Sequence, residues 1–207
     1  MVISPVATGR EMTADTHVVA LCGSLSDDSG TRIALRTALD AASDAGASTD
    51  LVDLREFDLP PRDGDDRDAG DAPALRERVA AADAALLGTP MYHGSYAAPL
   101  KNALDYCGSD ELGGTAVGLL SVAGGSFPRE ALGHLRTVCR ALDAWALPLQ
   151  VAIPNSGSAF ADGAFVDDDL AARTRRLGET VVAYAGVDSY PELSAAVAER
   201  PVAATQN

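Results

Sequence analysis

The sequence is short of positive charge. Lys101 is its only lysine, and 16 basic residues stand against 30 acidic ones, which gives a formal net charge of −14 at pH 7. Proteins that bind nucleic acid place a stripe of lysine and arginine against the phosphate backbone, and no such stripe occurs here. The composition therefore argues against nucleic acid as a partner.

The excess of acidic side chains has two interpretations. Several of them crowd one loop: Asp63, Asp65, Asp66, Asp68 and Asp71. A strongly acidic face can dock a basic protein partner. The same surface also suits a protein adapted to molar salt, where the Debye length falls to about 3 Å and like charges repel each other little. We favour the second interpretation, a halophilic protein.

The sequence also has few residues of the types that bind metals or form disulfides. They are Cys22, Cys107, Cys139, His17, His93 and His134. The cysteines are odd in number and contain no C-x-x-C, and the histidines lack the spacing of metal ligands. We therefore predict no metal site and no disulfide framework, and we expect the thiols to be buried.

Long apolar runs are absent as well. No run approaches the roughly 20 residues that a membrane span needs, and residues 1–16 lack the basic cluster, apolar stretch and cleavage site of an export signal. We expect a cytoplasmic protein with no membrane partner. Residues 1–16 are predicted to be a disordered extension, within which Met12 could be the true start. Residues 17–186 are predicted to form one domain, and residues 187–207 a C-terminal tail.

Five apolar runs alternate with five segments of helical periodicity. The runs are 17–22, 49–54, 84–88, 115–122 and 147–153, and the helical segments are 30–45, 73–82, 97–107, 128–144 and 167–185. This alternation predicts an α/β fold, with a parallel sheet between two layers of helices. The runs are apolar throughout rather than alternating, as strands buried on both faces must be.

The segment 23–31 lies between the first predicted strand and the first helix. It offers four hydroxyl groups, on Ser24, Ser26, Ser29 and Thr31, together with the unpaired N–H groups of a helix start. Such a combination can bind a phosphate, although the same residues can also simply cap the helix. The segment matches neither G-x-G-x-x-G nor G-x-x-x-x-G-K-[ST], so it is not one of the common dinucleotide or P-loop sequences.

Two further segments follow the third and fourth strands. Segment 89–96 presents Tyr92, His93 and Tyr96, which suit a flat conjugated ring, and segment 121–126 contains Gly124 and Gly125, which let the backbone approach a ligand closely. In a sheet of strand order 2-1-3-4-5, all three segments meet in one crevice at the carboxyl ends of the strands. Their convergence predicts a binding site there.

Two other protein classes with this topology do not fit. A phospho-acceptor receiver domain needs an aspartate at the end of strand three, where this chain has Gly88-Thr89-Pro90. A serine hydrolase needs G-x-S-x-G at a strand-to-helix turn, and the sequence contains none.

Three segments correspond to the motifs of one family. Residues 23–31 correspond to Gly-Ser-x-Arg-x-x-Ser followed by Asn or Thr. Residues 90–106 correspond closely to Pro-Glu-Tyr-Asn-x-Ser-x-x-x-x-Leu-Lys-Asn-x-x-Asp-Trp, and Gly124-Gly125 with Leu135-Arg136 correspond to a Gly-Gly loop before a Leu-Arg pair. Over residues 17–186 the chain thus resembles the NADPH-dependent FMN reductase family, which includes quinone, azo-dye and chromate reductases.

The resemblance implies a flavodoxin-like three-layer sandwich, with a five-stranded parallel sheet of order 2-1-3-4-5, and FMN as cofactor. It implies a phosphate site made by Ser24, Ser26, Ser29 and Thr31. It also implies an isoalloxazine site lined by Pro90, Met91, Tyr92, His93, Gly124 and Gly125.

Three of these positions depart from the family pattern. Ser26 stands where the family has arginine, and Arg32 could supply that charge instead. Met91 replaces glutamate and His93 replaces asparagine, which leaves substrate preference open.

The resemblance further implies an enzyme that passes hydride or electrons from NADPH or NADH to FMN, a quinone or a similar small acceptor, as a homodimer or homotetramer. Because the flavin carries the chemistry, we assign no catalytic acid or base. Two alternatives stay open: a flavodoxin-type electron carrier that docks protein partners through its acidic face, and a relative that has lost flavin and serves as a binding module.

Overall fold

Strands and helices alternate along the chain, as the apolar pattern predicts. The structure is a computed structural model that describes residues 16–64 and 66–186. Its strands are β1 His17–Cys22, β2 Ser48–Asp53, β3 Ala84–Tyr92, β4 Ser95–Tyr96, β5 Ala116–Val122, β6 Trp145–Ile153, β7 Phe160–Ala161 and β8 Ala164–Phe165. Its α-helices are α1 Gly30–Asp44, α2 Ala72–Ala80, α3 Ala98–Tyr106, α4 Ser109–Leu112, α5 Arg129–Ala141, α6 Ser156–Ala159 and α7 Asp168–Tyr184. A 3₁₀ turn, Leu54–Glu56, follows β2.

The main sheet has the strand order β2-β1-β3-β5-β6, and all four pairings along it are parallel. The short β4 pairs antiparallel with the end of β3, and β7 and β8 form a separate two-stranded hairpin. Without these short additions, the parallel strands are the five predicted from the sequence, in the predicted order 2-1-3-4-5. The predicted α/β class and strand order are therefore confirmed.

The core lies on both faces of the sheet. Helices α1 and α7 cover one face, and α2, α3 and α5 cover the other. In β1, Val18 and Ala20 pack toward the first layer, whereas Val19 and Leu21 pack toward the second. Because successive side chains of a strand point to opposite faces, a strand between two helical layers must be apolar at every position. This explains the unbroken apolar runs of the sequence.

The structure differs from the sequence-based prediction mainly in short elements. Strand β3 does not end at Gly88 but continues to Tyr92, since residues 89 and 90 still pair with β5. The short β4, α4, α6 and the β7–β8 hairpin were not predicted, because two to four residues carry no periodicity. The predicted extension over residues 1–16, except Thr16, and the tail over residues 187–207 lie outside the described residues.

All three cysteines are buried and free. Burial raises the pKa of the Cys107 thiol to about 12 and that of the Cys139 thiol to about 11.

In the described ranges, no helix combines the length and the apolar character needed to cross a membrane.

The crossing of α1 and α7 depends on Gly178. A Cβ at this position would lie 1.9 Å from the carbonyl oxygen of Ala38, so only glycine allows the two backbones to approach this closely. In α5, by contrast, a Cβ at the exposed Gly133 would have nothing within 4 Å.

We expect Gly178→Ala to lower the free energy of unfolding by about 1–3 kcal/mol, because the steric conflict with backbone exceeds the gain in helix propensity of about 1 kcal/mol. The matched variant Gly133→Ala should instead raise it by about 0.5–1 kcal/mol. Urea denaturation followed by circular dichroism measures both. An increase in stability for both variants would contradict the close crossing.

Candidate functional site

A cleft of about 890 Å³ opens at the carboxyl ends of β1, β3 and β5. It is lined by eight of the ten residues that the sequence assigned to a site: Ser24, Ser26, Ser29, Thr31, Pro90, Met91, Tyr92 and Gly124. The two others, His93 and Gly125, lie next to these residues in the chain but do not line the cleft. The three segments predicted to converge therefore do so.

The loop 23–29, which we call the hydroxyl loop, leads from β1 into α1. It begins with a close contact, in which the N–H of Gly23 donates to the carbonyl of Gly88 at 2.8 Å. A Cβ at Gly23 would lie 2.7 Å from Cβ of Leu100, so a larger residue would push the loop away from α3. The loop ends at Ser29, the N-cap of α1, whose Oγ accepts from the N–H of Arg32 at 3.1 Å.

Several donors in the first turn of α1, directly after this loop, have no acceptor among the described residues. Thr31 is only 2% exposed, yet its hydroxyl and its N–H have no hydrogen-bond partner in the described part of the chain. The N–H of Gly30 is likewise without an acceptor there, as expected for the first turn of a helix. The hydroxyl of Ser29 accepts from the N–H of Arg32 and also interacts with the thiol of Cys22. The hydroxyl and N–H of Thr31 and the N–H of Gly30 together form a set of neutral donors at the cleft.

A buried ion pair lies directly behind the hydroxyl loop. Arg32 and Asp53 are 7% and 3% exposed, and Nε of Arg32 donates to Oδ2 of Asp53 at 2.8 Å. Arg55 joins the same carboxylate through its Nη2 at 2.7 Å. Burial acts to raise the pKa of Asp53, but the hydrogen bonds and charges of Arg55 and Arg32 outweigh burial and hold that pKa below its ordinary value.

This arrangement bears on the expectation that Arg32 could replace the arginine missing at position 26. Besides the bond to Asp53, Nη2 of Arg32 donates to the carbonyl of Ser26 at 2.9 Å, and Nη1 donates to the carbonyl of Asp27 at 3.1 Å. All three nitrogens of the guanidinium thus donate to protein acceptors, namely one carboxylate and two loop carbonyls. Its charge is largely neutralised before a ligand arrives.

The second wall of the cleft is the β3–β4 hairpin. Pro90, Met91 and Tyr92 line the cleft, and Tyr92 is 60% exposed. His93 and Gly94 form the turn, with φ angles of 50° and 81°, which is the left-handed pair that a two-residue hairpin loop requires. The turn carries the side chain of His93 out into solvent.

The hairpin is held in place from both ends. Thr89 is fully buried, and its Oγ1 accepts from the N–H of Ala97 at 2.9 Å. At the far end, Oγ of Ser95 lies 3.0 Å from Nδ1 of His134 in α5. A surface held at two points is suited to a rigid, flat ligand.

Sequence reasoning missed a third wall. Ser156 and Gly157 after β6, the β7–β8 hairpin, and Ile33, Arg36, Thr37 and Asp40 on α1 also line the cleft. The ring of Phe160 packs on Gly30, where a Cβ would lie 2.4 Å from Cε2 of the ring. For the β7–β8 hairpin itself, the sequence signals are the turn residues Asp162 and Gly163, which both take positive φ.

The sequence model of the family described as NADPH-dependent FMN reductase matches residues 16–158. This chain belongs to the NADPH-dependent FMN reductase family. The FMN-dependent NADPH-azoreductase of Staphylococcus aureus (strain USA300) is 38% identical over 122 residues, which are 58% of this chain and 65% of that protein. The chain therefore matches just under two thirds of the length of this relative.

Solved structures of flavoenzymes share the fold. An NADH:FMN oxidoreductase in its apo form superposes with a TM-score of 0.68 and 23% identity, covering 86% of this chain and 92% of that one. The NAD(P)H:(acceptor) oxidoreductase FerB of Paracoccus denitrificans gives a TM-score of 0.67 and 23% identity, covering 82% and 96%. The flavodoxin-like fold predicted from the sequence is thus confirmed.

The hydrogen-bond donors at the start of α1 are of the kind that a flavin phosphate requires. The unpartnered hydroxyl and N–H of Thr31 lie at the start of α1, where the helix dipole favours an anion. The nearby carboxylate of Asp27 would repel a phosphate, but it is almost fully exposed and pairs with Nη1 of Arg55 at 2.9 Å. The hydroxyl loop therefore presents donors without an uncompensated negative charge from Asp27.

We expect the stabilising effect of Asp53 to depend on pH in a defined direction. Its folded pKa is lowered below the unfolded value of about 3.9, so its contribution is complete above about pH 5 and is lost as pH falls through the folded pKa. Asp53→Asn should lower the free energy of unfolding by about 3 kcal/mol at pH 7, because it leaves a buried arginine unpaired. Urea unfolding at pH 7 and pH 3 should show the gap between variant and wild type narrowing at the lower pH. A gap that stays constant would contradict the lowered pKa.

Proposed function

We propose that this protein is an NAD(P)H-dependent flavin oxidoreductase. It binds FMN in the cleft and passes electrons from NADPH or NADH to FMN, a quinone, an azo dye or a similar small acceptor. The observation that carries the proposal is the set of hydrogen-bond donors without acceptors at the start of α1. These donors lie beside the exposed surface of the β3–β4 hairpin, in a chain that belongs to this family. The azoreductase relative, named for both FMN and NADPH, supports the choice of cofactor and donor.

The proposed roles divide between the two ends of the cleft. At one end, the hydroxyls of Ser24, Ser26, Ser29 and Thr31 bind and orient the phosphate, aided by the first N–H groups of α1. At the other end, Pro90, Met91, Tyr92 and Gly124 hold the isoalloxazine ring, with His93 and Gly125 at its margin. When bound, FMN supplies the hydride and electron-transfer chemistry.

No side chain of the cleft is assigned as a catalytic acid or base. The protein's part is to fix the ring and to limit water at its buried edge. Tyr92 and the β3 backbone supply a flat surface, while the turn keeps His93 in solvent, where water can serve equally well as a proton source. The exposed face of the ring site is then free to receive a nicotinamide and an acceptor in turn.

The proposal extends to how and where the protein works. We propose a homodimer or homotetramer, which would cover exposed apolar side chains such as Leu25 and Phe127. The three free buried thiols support a reducing compartment, the cytoplasm. The single lysine and the net charge of −14 support work at high salt, and residues 17–186 are proposed as the functional domain.

The enzymatic proposal predicts reduction of bound flavin without any protein partner. Under anaerobic conditions in high salt, NADPH or NADH should bleach the visible absorbance of the oxidised flavin in the FMN-loaded protein. Addition of a quinone should restore the absorbance over repeated cycles. If the flavin stays oxidised with both nicotinamides yet accepts electrons from a protein donor, the electron-carrier alternative is correct. If no flavin binds at all, the binding-module alternative is favoured.

The phosphate site predicts a selective loss in Thr31→Val. This change keeps the shape of the side chain but removes the unpartnered hydroxyl, so FMN affinity should fall by about tenfold, which corresponds to roughly 1.4 kcal/mol. Riboflavin, which lacks the phosphate, should bind the variant and the wild type equally. The dissociation constants of FMN and riboflavin are both measured by the quenching of flavin fluorescence.

Thr180→Val provides the matched control for this measurement. Thr180 lies on α7, outside the cleft lining, and its hydroxyl already donates to the carbonyl of Arg176 at 2.6 Å. Its replacement should change FMN affinity by less than about twofold. Equal losses in the two variants, or an equal loss of riboflavin in Thr31→Val, would place the phosphate elsewhere.

A further inference from the structure

The environment of Arg32, behind the hydroxyl loop, is unusual for a residue so close to the proposed phosphate site. Three of the five N–H groups of its guanidinium, one on each nitrogen, donate to acceptors of the protein. One donates to the carboxylate of Asp53 at 2.8 Å, and two donate to the carbonyls of Ser26 and Asp27 at 2.9 and 3.1 Å. The planar guanidinium fork holds these three acceptors at fixed relative positions.

The two loop carbonyls determine where the neighbouring N–H groups point. In a planar trans peptide unit, the C=O of one residue and the N–H of the next point in opposite directions. Because the carbonyls of Ser26 and Asp27 are held on Arg32, the N–H groups of Asp27 and Asp28 are turned away from it. Within the described residues these N–H groups have no acceptor, and both residues line the cleft.

Asp53 in turn fixes Arg32. It ends β2, so its backbone belongs to the rigid sheet, and it is 3% exposed. Arg55 bridges Asp53 and Asp27 on the solvent side of this ion pair. It donates to Oδ2 of Asp53 through Nη2 at 2.7 Å and to Oδ1 of Asp27 through Nη1 at 2.9 Å. The hydroxyl loop is thereby bound to the neighbouring strand at both its backbone and its surface.

We propose that Arg32 is a positioning residue for the phosphate site. It acts through the loop backbone rather than by touching the phosphate: held by Asp53, it keeps the 26–27 and 27–28 peptide units turned so that two N–H groups face the anion. The proposal rests on the function proposed above, since it assumes that the phosphate of FMN occupies this end of the cleft. In this proposal Arg32 positions the loop and does not touch the ligand. The arginine that the family has at position 26 would instead donate to the ligand directly.

Asp53→Asn separates the two roles by the sign of its effect. If Arg32 contacted the phosphate, removal of its counter-charge would free the guanidinium and tighten FMN binding. If Arg32 positions the loop, the same change loosens its anchor and FMN should bind at least about fivefold more weakly. Riboflavin affinity should change by less than about twofold in either case, which also shows that the variant is folded.

Two substitutions of Arg32 itself separate charge from geometry. Arg32→Gln should weaken FMN by about tenfold or more, and Arg32→Lys should lose most of the same affinity, because one ammonium group cannot reproduce a fork across three acceptors. The matched charge control is Arg175→Gln on α7, an exposed arginine far from the loop in sequence and with no hydrogen bond or ion pair from its side chain within the described residues. It should leave both flavins within about twofold of the wild-type values.

Arg55→Gln covers the possibility that the buried variants do not fold. Its side chain is 31% exposed, so its replacement leaves Arg32 and Asp53 paired while removing the outer brace. It should give a smaller, phosphate-selective loss of about threefold. Tighter FMN binding in Asp53→Asn, or wild-type FMN binding in Arg32→Lys, would overturn the proposal.

A final measurement keeps this proposal distinct from the proposed function. Amide hydrogen exchange over residues 23–31 is compared in ligand-free wild type and Arg32→Gln. Faster exchange in the variant supports the positioning role even if the wild type shows no preference for FMN over riboflavin, a result that would refute only the phosphate site. Unchanged exchange, whatever the flavin affinities, would refute the positioning role.

Discussion

Parallel strand pairing is the constraint on which the site depends. Parallel strands are joined by crossover connections, so β1, β3 and β5 all end at the same edge of the sheet. Each is followed by a loop at that edge. The cleft is where these loops meet, and its three walls come from residues far apart in sequence. The packing of Gly178 against the backbone of Ala38 belongs to the same constraint, because α1 and α7 must share one face of a narrow sheet.

The use of charge around the cleft follows from the shortage of cations. The chain has 16 basic residues against 30 acidic ones, and the arginines behind the hydroxyl loop are paired with aspartates. Arg32 and Arg55 neutralise Asp53 and Asp27 rather than facing the cleft as free charges. At the hydroxyl loop an anion is therefore met chiefly by hydroxyl and backbone donors, whereas the exposed Arg36 lines the cleft farther along α1. Such short-range bonds are screened by salt far less than the long-range repulsion from the acidic surface, so this form of recognition suits a concentrated ionic medium.

The sequence predicted the parts of the fold whose signals are local. Unbroken apolar runs predicted the parallel strands, and of the ten site residues predicted in the segments after them, eight line the cleft. The role proposed for Arg32 could not be predicted in this way, because it depends on Asp53, which is 21 residues away and reaches Arg32 only through the pairing of β1 with β2. The β7–β8 hairpin was missed for a different reason: each strand has two residues, and no period can be recognised in two residues.

The most specific family motif combines two physical functions. Its first part, Pro90 to Tyr92, lines the cleft, but its second part supports the scaffold. Asn102 donates to the carbonyls of Leu59 and Pro60 at 3.0 Å each, and the hydroxyl of Tyr106 donates to Pro60 at 2.8 Å, so this half of the motif ties the loop after β2 to α3. That loop continues directly from the segment that holds Asp53 and Arg55. The motif thus covers the support of the proposed phosphate site as well as the proposed ring site, even though serine stands at position 26, where the family has arginine.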